Sequence, residues 1–167
     1  MRQMKKFLLA LFACLFLTGC SSSADSSDAT VQTTVPDPTV LLVYTPDDMA
    51  EGLVKTEASV SAITENTVTE QLILAGVLAE GTQVNTLEIV SVSDAPEQLQ
   101  LRVDFNAPFR DRLLSQGTAG EYVTLGSVVN TFLTAYHAQS MVITVEGGTL
   151  ESGHAVYDAP FVFFDPE

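Results

Sequence analysis

Two imidazoles, His137 and His154, stand among scattered hydroxyls and carboxylates as the groups best suited to acid–base chemistry in the body of this chain. A nucleophilic serine needs a base within about 3 Å and an acid that orients that base. His137 closes an apolar periodic segment, where an imidazolium complements a helix C-terminus. His154 follows a glycine-rich turn, and nothing in the spacing brings either ring to Ser115, Ser127 or Ser140. A zinc site of the His-Glu-x-x-His kind is missing from the sequence, as is the alternating acidic loop that wraps calcium. Gly147-Gly148 is too short to cradle a phosphate and reads as a hairpin turn. Glu146 and Glu151 could serve as a glycosidase acid–base pair, but with 21 acidic residues such pairs arise by chance. The expectation is a protein that is not an enzyme, with no catalytic residue, cofactor or metal.

The thiols tell more. Both cysteines, Cys14 and Cys20, lie in the first twenty residues. Arg2, Lys5 and Lys6 make a positive start, and Phe7 to Leu17 is an apolar run of 11 residues. A bilayer span needs roughly 20 such residues, so the run suits the core of a signal peptide instead. Leu17-Thr18-Gly19-Cys20 follows at once. It resembles the lipobox of bacterial lipoproteins: an aliphatic residue, two small residues that let a peptidase grip extended backbone, then the cysteine. That resemblance implies cleavage before Cys20 and a diacylglyceryl thioether, with chains of the palmitate kind, on its sulfur. Lipid attachment through Cys20 then anchors the protein in a cell membrane, facing away from the cytoplasm. Cleavage also removes Cys14, so the exported part has neither free thiol nor disulfide and depends on its core for stability.

The chain has 167 residues, and residues 1–19 are expected to be the signal peptide. Three of its seven basic residues leave with that segment. Lys55, Arg102, Arg110 and Arg112 then stand against 21 acidic residues, a formal charge of −17. Nucleic-acid binding needs basic patches and is excluded. The acidity keeps the surface soluble and off anionic headgroups, and its sharper reading is a basic or cationic partner, Ca²⁺ included.

Residues 20–38 read as the lipidated cysteine and a Ser/Thr/Pro tether, without apolar periodicity, whose last 18 residues span on the order of 25 Å as a coil. Residues 39–167 carry the folded domain. Thr39 to Tyr44 is an apolar, β-branched strand, and a second strand within Gly52 to Thr64 should pair back on it. Thr67-Val68-Thr69-Glu70 has the form of a capping box for a helix running to Gly81, with Val68, Leu72, Ala75, Gly76 and Ala79 on one face. Thr86 to Val92 and Leu99 to Phe105 are strands of one hairpin, the second alternating apolar and polar residues. Asn106 to Gly120 is loop-like, with a helical turn at Arg110 to Leu114. Glu121 to His137 carries the clearest helical stripe: Leu125, Val128, Val129, Phe132, Leu133 and Tyr136. Met141 to Val145 is a strand, Glu146-Gly147-Gly148 a tight turn, and Pro160 to Phe164 an apolar tail. The fold class is α+β: a single domain with a mixed β-sheet, two helices packed mainly on one face, and the order ββαββαβ.

From Asp104 to Pro160 the chain resembles the GerMN domain, the sporulation and spore germination module. The matching pieces are Val103-Asp104-Phe105-Asn106, the segment Gly126 to Phe132 with Val129-Asn130-Thr131, and Val142 to Val145 with Glu146-Gly147. Val43-Tyr44-Thr45-Pro46 and Leu78-Ala79-Glu80-Gly81 extend the likeness toward the N-terminus. The resemblance implies an envelope assembly domain, similar in topology to the ring-building domains of secretion-type complexes. It marks Asp104, Asn130, Thr131, Glu146 and Gly147 as structural family residues. Read as residues alone, Asn130 and Thr131 are mid-helix polar groups near a buried stripe that should find internal partners, and Asp104-Phe105-Asn106 is a strand end with a local turn.

The expected function is a non-catalytic binding or assembly module held in the cell envelope by Cys20, related to sporulation or germination. An envelope protein, or further copies of itself, would be the partner. A small-ligand or glycan-binding lipoprotein using Tyr44, Tyr122 or Tyr136 is the alternative, and a regulator of a cell-wall hydrolase a third.

Overall fold

A computed structural model describes residues 39–165 of the chain. The signal peptide, Cys20 and the tether expected from the sequence lie outside the described residues.

Alternation decides the first two strands. In β1 (Thr39–Pro46) Leu41 and Val43 point into the core, while Val40 before them is exposed and Leu42 between them half-buried. β1 pairs antiparallel with β2 (Leu53–Val60) from Thr39↔Val60 to Pro46↔Leu53. The turn between them is held by Asp47, whose Oδ1 accepts from the amides of Met49 and Glu51 at 3.1 and 3.0 Å. These amides hold the Asp47 carboxyl below its usual pKa of 3.8. The two strands make a sheet of their own, separate from a five-stranded sheet ordered β3-β4-β5-β6-β7.

Helix α1 (Glu65–Leu74) starts and stops elsewhere than the sequence suggests. The capping box forms one turn earlier: the Thr64 hydroxyl accepts from the Thr67 amide at 3.1 Å, and the Thr64 amide donates to Thr67 Oγ1 at 2.9 Å. A threonine hydroxyl serves at the third helical position as well as a carboxylate would. The helix ends at Gly76, not Gly81. Gly76 takes φ +75°, and its amide and that of Val77 bond back to the carbonyls of Ile73 and Leu72, both at 2.9 Å. That two-bond closure satisfies the last carbonyls and needs a left-handed residue, so the earlier glycine wins. Ala79 is consequently no part of a helical face. Val77 and Leu78 are buried instead from the loop that follows.

Strands β3 (Val84–Val92) and β4 (Ala95–Phe105) form the expected antiparallel hairpin. β4 runs parallel to β5 (Ser140–Val145), from Gln100↔Ser140 to Phe105↔Val145, which makes the sheet mixed. The crossover holds two helices rather than one. The expected helical turn is a full helix, α2 (Ala107–Leu114), opened by Pro108 and burying Phe109 and Leu113. Proline in a first turn gives up no hydrogen bond. After α3 (Thr118–Tyr136) and β5, the chain closes with β6 (Gly148–Glu151) and β7 (Val156–Tyr157). The bridge Met141↔Phe161 brings the apolar tail alongside β5.

The domain is therefore α+β with a mixed sheet, as read from the sequence, with a third helix and a second, two-stranded sheet added. α3 is the centre of it. From Val123 to Leu133 every residue is buried. On one side Phe132 packs edge-on to Phe105 of β4, with ring centroids 5.9 Å apart. On the other, Gly126 lets β2 and the tail come close: a Cβ there would lie 2.9 Å from Leu53 Cδ1 and 3.2 Å from Phe164 Cδ1. A helix with a sheet on one side and a strand pair on the other is buried nearly all round, not along one stripe, and its polar residues must find partners inside. Among the described residues no helix is long and apolar enough to cross a membrane.

Candidate functional site

Three of the residues singled out by sequence meet at the C-terminal ends of β4 and β5. Asp104 Oδ1 accepts from Thr144 Oγ1 at 2.6 Å and from the Gly147 amide at 2.8 Å. Its Oδ2 accepts from Asn85 Nδ2 at 2.8 Å. One carboxylate thus ties β3, β4, β5 and the turn after β5. Desolvation pushes its pKa up, but the bonds from Thr144, Asn85 and Gly147 favour the charged form and prevail, holding it below 3.8.

That turn is built from Glu146 and Gly147, at φ +52° and +74°, between the paired residues Val145 and Gly148. Two consecutive left-handed residues match the twist of a two-residue hairpin. Glycine does this freely, whereas glutamate needs holding. Glu146 Oε1 accepts from the Ala107 amide at 2.9 Å, at the first position of α2. A carboxylate there meets an orphan N–H and the positive end of the helix dipole. Asn106 completes the junction, accepting from the Gln83 amide and donating to the Gly81 carbonyl, both at 2.9 Å.

Asn130 and Thr131 serve another junction. Thr131 Oγ1 donates to Ser127 O at 2.7 Å and accepts from the Tyr44 amide of β1 at 2.9 Å. Asn130 Nδ2 donates to Phe164 O, and its Oδ1 accepts from the Phe164 amide, both at 2.8 Å. Both side chains are fully buried and spend their bonds on backbone of the same domain.

The sequence reading missed a third polar cluster. Glu121, only 2% exposed, accepts through Oε1 from Ser152 Oγ at 2.6 Å and from the Tyr157 hydroxyl. Ser152 Oγ in turn accepts from the amides of His154 and Ala155, each at 3.1 Å. The carboxylate braces the β6–β7 turn against the first turn of α3. Burial, then the bond and charge of Glu121, push the Tyr157 phenol up to about 12. The available signal was position: Glu121 lies four residues before Leu125, on the extension of the apolar stripe.

The histidines stay apart from these clusters as side chains. His137 is the left-handed residue that ends α3, at φ 54°. Among the described residues no group of three His, Cys, Asp or Glu could hold a metal ion. The tail forms one wall of an aromatic cleft of about 480 Å³, lined by Tyr122, Phe161 and Phe164 among others. A smaller cleft of about 290 Å³ lies between the start of α1, β3 and Tyr136.

No protein-family model matches the chain, and no curated protein matches it. Solved structures similar to it include a candidate lipoprotein from Clostridium perfringens, 16% identical, covering 75% of this chain and 88% of that one, with a TM-score of 0.47. The tandem GerMN domains of the sporulation protein GerM from Bacillus subtilis are 15% identical over 85% of this chain and 48% of theirs, with a TM-score of 0.49. The first of those domains alone is 17% identical, covering 66% of this chain and 84% of its own, with a TM-score of 0.43. The likeness is one of fold.

Proposed function

We propose that this chain is a lipoprotein anchored through Cys20 outside the cytoplasm, and that its domain binds or assembles with envelope proteins without catalysing a reaction. The observation that carries this reading is where the polar side chains go. Asp104, Glu146, Asn130 and Thr131 each end on a strand, turn or helix terminus of their own fold. None is left presenting an unspent charge to a cleft, which is what a general acid or base must do. Sporulation or germination is the process we attach to it, on the strength of the sequence resemblance to GerMN domains.

The test is crosslinking of intact membranes, recovery of the protein and mass spectrometry of what comes with it. Recovery of itself or of envelope assembly proteins supports the module. Recovery of transporter subunits, or of a bound small molecule, contradicts it. That outcome would favour a ligand-binding lipoprotein using the aromatic cleft at Tyr122 and Phe164, whose volume falls in the range of small-molecule sites.

A further inference from the structure

Among the described residues β3 is the end strand of the five-stranded sheet, and its outer edge pairs with no other strand. Its sequence, Val-Asn-Thr-Leu-Glu-Ile-Val-Ser-Val, contains no proline or lysine and one charge, Glu88. Native edges are commonly blunted by such residues or by bulges. The bulges in β3 lie at Val84/Thr86 and Ser91/Val92, leaving Thr86 to Ser91 in regular register with β4. Alternate residues of this stretch therefore turn their backbone donors and acceptors to the side away from β4. On the helix-facing side of this stretch Leu87 and Ile89 are apolar, and Ser91 at its end is polar. Leu87 pairs with Val103 and Ile89 with Leu101, both partners buried, yet Ile89 is 49% exposed.

Beside the first half of this edge runs the cleft of about 290 Å³, lined by Ile63, Glu65, Val84, Leu87 and Tyr136. Its polar lining is Thr64, Asn85 and Thr86 beside one charged group and one phenol. Glu65 brings a carboxylate, and the Tyr136 hydroxyl is buried with no hydrogen-bond partner among the described residues. An edge strand beside a groove is the arrangement by which extended peptides add to a sheet: backbone bonds give affinity, and alternate side chains give selectivity.

Resting on the binding-module reading, we propose that β3 is the docking edge, and that its occupant is an extended, cationic segment of a partner protein. The segment adds as a sixth strand. Its helix-facing side chains cover Ile89 and Leu87, and one arginine or lysine enters the cleft between the Glu65 carboxylate and the Tyr136 phenol oxygen. Charge chooses this occupant over a second copy of the chain. Beyond residue 38 the chain has four basic residues against an acidic majority, and a second β3 would bring another Glu88 rather than a cation.

The test uses the processed full-length lipoprotein in detergent micelles and a fluorescent hexapeptide, Val-Thr-Val-Thr-Arg-Thr, whose two valines and one arginine share a face, read by anisotropy. Two controls are the same peptide with glutamate for arginine, and the same peptide N-methylated on alternate amides so that it cannot pair along one edge. Expected are binding of the arginine peptide, weakening with added salt, and no binding of either control. Glu65→Gln should weaken binding about tenfold, the cost of one charge-assisted hydrogen bond. Tyr136→Phe should weaken it less. No binding of the arginine peptide, or equal binding of either control, overturns the proposal, and these wild-type comparisons decide even if a variant folds poorly. If crosslinked membranes still yield envelope partners while the peptide fails, the docking edge is wrong and the module stands; if both fail, both readings fall.

Discussion

Asn130, in the middle of α3, holds Phe164 by both backbone groups, donating to its carbonyl and accepting from its amide at 2.8 Å each. A side-chain amide is the group that can do both at once, because it carries a donor and an acceptor side by side. The effect is to pin the C-terminal segment as if it were one more strand.

Asn130→Ala should cost about 1–3 kcal/mol, since it removes two buried bonds and leaves Phe164 backbone groups without partners. Urea unfolding measures the loss. Chymotrypsin should cut faster after Phe161 and Phe163 in the variant, because the released segment no longer lies against α3. An unchanged midpoint would mean that the tail contributes nothing to the fold.

His137 holds a left-handed conformation at the end of α3, where a side chain is strained and glycine is not. His137→Gly should therefore raise stability by about 1 kcal/mol. A loss of stability would mean that the imidazole contributes packing or charge at the helix end beyond its backbone role.

Asp104 carries the acid sensitivity of the sheet. Its folded pKa is held below 3.8, so its contribution is present above that value and is lost as pH falls through the folded pKa. Asp104→Asn should be less stable than the native chain at neutral pH by about 1 kcal/mol, a modest figure because solvent screens this partly exposed group. The gap should close in acid, as the native carboxyl takes up its proton. Unfolding curves collected from neutral to acid pH check this, and a gap that stays constant would remove the carboxylate from the explanation.

Much of this was legible because period and turn chemistry are local. The β3–β4 hairpin shows in the alternation from Leu99 to Phe105, and α3 shows in its stripe. What the sequence hid is what tertiary packing decides. Gly76 and Gly81 are equally good helix stops in sequence, and the closure at Gly76 is the one that goes with burial of Val77 and Leu78. The separate β1–β2 sheet was hidden because strand runs do not declare which sheet they join. α2 showed only as a helical turn at Arg110 to Leu114, because its eight residues give too few turns to show a stripe. Among the polar residues, Asp104, Glu146 and Gly147 stood out through the resemblance, and the structure brings them to one junction. Glu121 entered only as the first residue of that helix, because nothing in sequence tells a buried carboxylate from an exposed one until Ser152 and Tyr157 are seen against it.

The most direct test of the central claim is incorporation of radiolabelled palmitate in cells making either the native chain or Cys20→Ser. The account predicts label on the native protein, which sediments with membranes at the size expected after cleavage before Cys20, and no label on Cys20→Ser. Equal labelling of the two, or an unlabelled native protein in the cytoplasm, would contradict it.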